Sequence, residues 1–277
     1  MLNNAALKQM AIEKGADLVG IASINRFKAL PPNANPSFIQ TNAKSVIVLG
    51  FQIPRGALRG IEEDTAWNTM AGDHPGGYTL YTVEVTYNVS KMLEDDGWEA
   101  VPLWRHNYEM RNQGVRVHPD KPEPDVIVDM DFAAHAAGLG HMGKNKLFLT
   151  PEFGPRQVFT AILTDTEFEP DKISKQEVCD GCDECVRACP AKALDANKFT
   201  ETRLCEGTTR WHSLHIESCQ KCKTGVLDSC YSIGGEPMRI GAACSRACVA
   251  YLDFHDKLTR KFKSRFRPNP AAEKKTC

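Results

Sequence analysis

The chain has 277 residues, 42% of them hydrophobic, which is enough for one large domain with its own core and a small appended module. Its formal net charge of -1 excludes a global basic field, so nucleic acid is not expected as a partner. No leader pattern opens it and no apolar run reaches a membrane span, so we expect a cytoplasmic protein without a membrane partner, in which 11 cysteines mean metal ligation or catalysis.

Helical spacing runs from residue 4 to 14, with Gly15 as a stop, and DLVGIA then reads as a buried strand. SVIVLGF at 45–51 is a continuous β-branched run of the kind buried on both faces of a sheet. A long helix is predicted over 78–98, ended by Asp-Gly, and a strand over 101–104. DVIVD at 125–129 reads as a strand, 131–137 as an Ala-rich helix, 138–143 as a Gly-rich turn, and KLFLT and VFTAILTD as strands. Segments 27–43 and 106–124 read as long loops that shape a site. The α/β pattern covers 1–168, a cysteine-rich module 169–250, and a basic amphipathic helix with a tail 251–277. In that last helix Phe254, Leu258, Phe262 and Phe266 would pack on the body, with the cations facing solvent.

VCDGCDECVRACPAKAL has the spacing C-x2-C-x2-C-x3-C-P. Cys179, Cys182 and Cys185 can wrap three corners of one iron–sulfur cube, while Cys189, before Pro190, points to a neighbouring cluster. Zinc prefers two C-x-x-C pairs separated by a longer loop. A two-cluster arrangement needs four more thiolates. Cys244 and Cys248 copy the end of the first run, so Cys248 completes the first cluster and Cys244 joins the second; Gly241 stands where the copy would place another cysteine. The second cluster recruits the rest from Cys205, Cys219, Cys222 and Cys230, with Cys205 and Cys222 preferred. Alternatives are a separate zinc or dithiol site at Cys219, Cys222 and Cys230, or Cys230 as a buried apolar thiol. Cys277 reads as an unligated tail thiol.

Gly138, Gly140 and Gly143 match G-x-G-x-x-G, but the dinucleotide fingerprint needs a strand before it and a helix after it. Here a helix precedes and a strand follows. The glycines therefore bring bare backbone close to a ligand or a packed element.

The stretches AAHAAGLGHMGKNKLFLTPEFGPRQVFTAILTD and CDGCDECVRACPAKAL, with LKQMAIEKGADLVGIA and AKSVIVLGF, resemble the reductive dehalogenase and epoxyqueuosine reductase superfamily over most of residues 5–250. The resemblance implies an α/β (α+β) nitroreductase-like cobalamin-binding core joined to a ferredoxin-like module with two 4Fe-4S clusters, the corrin lying against the glycine loop. It implies Cys179, Cys182, Cys185 and Cys248 on one cluster, and Cys189, Cys205 and Cys244 on the other. A ferredoxin or flavodoxin would supply electrons to reduce a small-molecule substrate at cobalt. It further implies an acid near the glycine loop: Asp129 is the expected proton donor and Asp131 the other candidate, either of which also suits a helix N-cap. Tyr78, His106, Tyr108 and His135 are further donors that would line the cavity, and Lys144 and Arg156 are expected partners for a corrin amide or nucleotide tail. Competing readings are an electron-transfer protein serving a partner's cofactor, and a tRNA-modifying reductase.

Overall fold

A computed structural model describes residues 2–66, 78–104, 115–222, 226–227, 238–239 and 241–267. The first helix, α1 (Asn4–Glu13), begins at Asn3, whose side chain accepts a hydrogen bond from the Ala6 amide. It ends at Gly15, where φ of +115° lets the Ala16 amide reach back to the Ala11 carbonyl in a Schellman closure. β1 (Leu18–Ser23) and β2 (Ser45–Gln52) follow, then a single turn, α2 (Arg59–Glu62), and the long α3 (Tyr78–Asp95). After β3 (Ala100–Leu103) come α4 (Met130–Ala136), the two-residue strands β4 (His141–Met142) and β5 (Phe148–Leu149), and β6 (Gln157–Thr164).

Four strands form one sheet in the order β1-β2-β6-β3, and every pairing is antiparallel. β2 sits at its centre and alternates its side chains between two cores. Val46 and Val48 pack with Phe132, Ala133 and Ala136 of α4. Ile47, Leu49 and Phe51 pack with Leu7 and Ala11 of α1 and with Val85, Val89 and Leu93 of α3. Each fully buried aliphatic side chain of this kind stabilises the fold by about 1.5–3 kcal/mol.

The cysteine-rich half is built from α5 (Glu184–Arg187), the hairpin β7 (Leu194–Arg203) and β8 (Thr208–Leu214), α6 (Ile216–Gln220), the short pair β9 (Val226–Leu227) and β10 (Met238–Arg239), and α7 (Ala242–Phe254). Among the described residues no helix is long and apolar enough to cross a membrane.

Three expected elements differ. DVIVD is not a strand: 125–129 is irregular and docks through the Ile127 amide on the Asn33 carbonyl. KLFLT forms a strand only at β5. The basic amphipathic helix expected from 251 stops at Phe254, because Asp256 adopts φ of +54° and the Lys257 amide closes on the Leu252 carbonyl. Residues 255–267 continue as an irregular strap. Leu258 and Phe266 are buried along it as the apolar pattern requires, whereas Phe254 is 63% exposed.

Candidate metal and cofactor site

The Cys179–Cys189 run is folded tightly by two left-handed residues, Gly181 (φ +79°) and Asp183 (φ +60°), which precede α5. Asp180 fixes the loop from both ends. Its Oδ1 accepts from the Cys182 amide at 3.1 Å, and its Oδ2 accepts from the Tyr251 hydroxyl at 2.8 Å and from Lys257 Nζ at 2.5 Å. The loop is thereby tied to α7 and to the strap. Cys179, Cys182, Cys185 and Cys248 line one small cavity, together with Lys144, Asn145, Gly181 and Asp183. These are the four cysteines expected on the first cluster.

The electrostatics of the thiols show these cysteines packed together, with Cys244 close by. Burial, then the neighbouring Cys244, Cys179 and Cys182, push the Cys185 thiol up to about 12. Cys248 is also raised, first by burial and then by Cys185, Cys179 and Cys182. Thiols packed this way ionise only when a cation compensates them, which is what iron supplies to cysteine ligands. Among the described residues no three His, Cys, Asp or Glu side chains gather as ligands of a single ion; the corners of a four-iron cube are more widely spaced. The donor set therefore fits an iron–sulfur cube.

A second grouping surrounds Cys244. Its thiol is raised to about 12 by burial and then by Cys189 and Cys219. Cys219 lies in α6, and the Cys222 amide bonds back to its carbonyl. Cys205 stands apart, against the α4 core, with Arg26 and Glu206 as its charged neighbours. The thiols acting on Cys244 are Cys189 and Cys219, and Cys244 in turn acts on Cys185; Cys205, which the resemblance implied, is not among them. Gly241 is explained by backbone: it is the residue before α7 and has φ of +56°, which a cysteine would adopt only under strain. Cys230 and Cys277 lie outside the described residues.

The glycine loop is a packing device. Gly138 (φ +77°) ends α4 as its Schellman glycine, the Leu139 amide closing on the Ala134 carbonyl. A Cβ on Gly138 would strike the Lys172 carbonyl oxygen, one on Gly140 the Leu149 carbonyl oxygen, and one on Gly143 the Leu149 side chain. The chain's own atoms therefore fill the space expected to cradle a ligand. Gly140→Ala is expected to destabilise the fold by about 1–3 kcal/mol or more, read as a lowered denaturation midpoint.

Beside the loop, His135 is 2% exposed. Its Nδ1 lies 3.2 Å from the Gly140 carbonyl, and burial pulls its pKa down, so the ring is neutral with Nδ1–H donating. The His141 ring is 5.2 Å away, a residue that no spacing in the sequence marks. The Nε2 atoms of both are buried without a hydrogen-bond partner among the described residues. Two such nitrogens fit a polar ligand at this place, such as an amide of a corrin rim.

Asp129 caps α4: its Oδ1 accepts from the amides of Asp131 at 2.9 Å and Phe132 at 3.1 Å, so the N-cap geometry belongs to Asp129 and not to Asp131. Asp129→Ala is expected to cost about 0.5–2 kcal/mol, and Asp129→Asn, an equally good cap, close to nothing. Thermal unfolding of the two variants checks this.

Lys144 lies over Gly181 at the cysteine cavity. The hairpin reinforces this corner: the His212 amide bonds the Lys144 carbonyl at 2.8 Å, and His212 Nε2 pairs with Asp183 Oδ1 at 2.8 Å. Arg156, expected as a partner for a corrin amide or nucleotide tail, is fully buried beneath the strap and bonded to the Ile53 carbonyl. Tyr78 begins α3, but its side chain, like all of His106 and Tyr108, lies outside the described residues.

The mixed α/β fold is similar to that of a solved catabolic reductive dehalogenase in complex with 3-bromo-4-hydroxybenzoic acid, which matches at TM-score 0.58 and 19% identity over 88% of this chain and 31% of that one. In sequence the chain is a homologue of the tetrachloroethene reductive dehalogenases and the epoxyqueuosine reductases. It is 39% identical over 180 residues to the tetrachloroethene reductive dehalogenase of Dehalobacter restrictus, covering 61% of this chain and 28% of that one. The Desulfitobacterium hafniense enzyme of the same name is 35% identical over the same shares. The epoxyqueuosine reductase of Bacillus cereus is 26% identical over 211 residues, covering 69% of this chain and 52% of that one. The chain thus spans between a quarter and about half of the length of these relatives. No known family profile matches it.

Proposed function

We propose that the chain is the core of an iron–sulfur oxidoreductase that passes low-potential electrons through two 4Fe-4S clusters to a cobalamin and so to a small-molecule substrate. The observation that carries this reading is the convergence of Cys179, Cys182, Cys185 and Cys248 on one cavity, with Cys189 and Cys219 gathered about the adjoining Cys244. Cys179, Cys182, Cys185 and Cys248 would hold the first cluster; Cys189, Cys219 and Cys244, with Cys222 as the nearest further thiol in sequence, would hold the second. His135, held neutral by burial, and the adjacent His141 would meet the corrin rim. When bound, the corrinoid supplies a strongly reducing cobalt centre, which amino-acid side chains cannot.

The protein's own part is positional and protic. Asp180, Tyr251 and Lys257 keep the ligand loop against α7. Lys144 places a cation at the cysteine cavity, which favours the reduced, more negative state of a cluster there. Asp129 bonds its cap through Oδ1, leaving Oδ2 to hold a proton for the substrate. A ferredoxin or flavodoxin would be the donor.

Iron, sulfide and corrinoid quantitation on one anaerobic preparation tests the proposal, with a base-off cobalamin spectrum as the expected sign. Clusters without any affinity for a corrinoid would instead establish the electron-transfer reading, and absence of iron would remove both. A second reading, a nucleic-acid-borne substrate, is favoured by the epoxyqueuosine reductase relative, of which the chain covers the larger share. It requires salt-sensitive retention of tRNA. The strap cations give it little support, since Lys257 pairs with Asp180, Lys261 and Arg265 with Asp256, and Arg260 with Gln52.

A further inference from the structure

The strap is held to the body by interleaved cations and rings. Arg156 lies over the ring of Phe262 at 5.2 Å, and Arg55 lies over the same ring at 5.1 Å. Arg55 also lies over Phe266 at 4.1 Å, and Arg246 over that ring at 5.7 Å. The contacts form a continuous series, Arg156, Phe262, Arg55, Phe266 and Arg246. It joins the end of β2, the segment before β6, and α7.

Cation–ring contacts account for the faces of these guanidinium groups but not for their edges. Arg156 is fully buried and Arg246 is 3% exposed. Arg156 uses one nitrogen, Nη1, on the Ile53 carbonyl at 2.7 Å. Arg55 uses Nη1 at 3.5 Å from the Ser264 hydroxyl. Arg246 uses Nη2 on the Arg267 carbonyl at 2.5 Å and on Glu62 Oε1 at 3.4 Å. Nε and Nη2 of Arg55, Nε and Nη2 of Arg156, and Nε and Nη1 of Arg246 are buried without an acceptor among the described residues. Nε with Nη2 is the side-on fork that matches two oxygens of one oxyanion, so Arg55 and Arg156 each present an unused fork.

The local charge is unbalanced in the same sense. Arg55, Arg156 and Arg246 face Glu62 and Asp253 inside, while Arg260 and Arg267 add cations at the rim against Glu63. Burial and then Arg55 depress the Arg156 guanidinium to about 10, against the opposing pull of Asp253. A buried surplus of cations with empty forks is unfavourable unless an anion shares the space.

We propose that the arginine series beneath the strap is a binding site for a small phosphate-class oxyanion. Arg55 is the cation that acts on both Arg156 and Arg246; its unused fork would take two oxygens of a tetrahedral oxyanion and leave the others for a neighbouring guanidinium, whereas a carboxylate has none left over. The site is separate from the cysteine cavity and does not depend on the proposed reductase activity. Bound there, the anion would tie 257–267 to α7, the helix that carries Cys244 and Cys248.

The test titrates the full chain, purified anaerobically, with inorganic phosphate, with glycerol phosphate as a monoester, and with chloride at matched ionic strength. Thermal unfolding and hydrogen exchange of 53–58 and 257–267 are followed together. Saturable stabilisation by phosphate, absent with chloride and accompanied by added protection in both segments, is the expected result. A response to the monoester but not to inorganic phosphate would assign the site to a phosphate group carried on a larger molecule. Arg55→Lys keeps the charge and removes the fork, and is expected to weaken phosphate at least tenfold, with iron content unchanged. An equal response to chloride, an undiminished response in Arg55→Lys, or no phosphate-dependent protection in the wild-type chain would overturn the proposal; the last measurement stands even if the variant fails to fold.

Discussion

Cys248→Ser is expected to lower bound iron and sulfide to roughly half, because in the proposed two-cluster arrangement it would open one corner of a four-cysteine cluster and leave the other cluster its ligands. Its partners are fixed by structure: Cys248 projects from α7 into the cavity lined by Cys179, Cys182 and Cys185. Serine conserves volume and burial, so α7 and the core against Val249 and Leu252 should persist. The measurement is iron and sulfide per chain alongside the circular dichroism of the variant, with electron paramagnetic resonance showing one reduced centre where the parent shows two. Loss of all iron with the helices intact would mean that Cys248 serves both clusters' assembly, and full retention would break the grouping.

The second large effect separates geometry from resemblance. Cys219→Ser is expected to remove the other half of the iron, and Cys205→Ser to leave it in place. Cys189 and Cys219 are the cysteines that raise the Cys244 thiol, while Cys205 is packed on the α4 core beside Arg26 and Glu206. The resemblance implies the opposite. If Cys205→Ser empties the second site and Cys219→Ser does not, the family's ligand pattern prevails over the arrangement seen here. Double substitution of Cys219 and Cys248 should leave a chain with almost no iron, since the two residues belong to different groups.

Much of this was legible in the sequence where one chemistry explains a spacing. The Cys179–Cys189 run, the buried β2 and the helix stops at Gly15 and Gly138 follow from local rules. So does the rejection of a dinucleotide loop, since α4 precedes the glycines and β5 follows them. What escaped were long-range decisions. DVIVD has a strand's composition, but its stretch meets the body through a loop rather than a sheet edge. The strap kept its apolar period without a helix, because Asp256, one of the few non-glycine types that enter the left-handed region, does so here and is paired with Lys261. Gly241 looked like a lost ligand and is a backbone requirement. Cys205 and Cys219 cannot be ranked by spacing, since each is brought to its neighbours, or kept from them, by the β7–β8 hairpin and α6 folding between them.

Cys244 and Cys248 stand four residues apart on α7, so one turn of a single helix presents a thiol to each grouping. Cys185 and Cys189 repeat the same interval. Between Cys244 and Cys248 the rise is about 6 Å and is held by the backbone hydrogen bonds of α7, whereas α5 ends at Arg187 and Cys189 lies just beyond it. Were two clusters bound as proposed, the part of the gap set by Cys244 and Cys248 would be built into secondary structure and not left to the docking of one part of the molecule on another. Loosening of the strap or of the surrounding loops would alter access to the centres while leaving their spacing, and hence the rate of exchange between them, where the helix sets it.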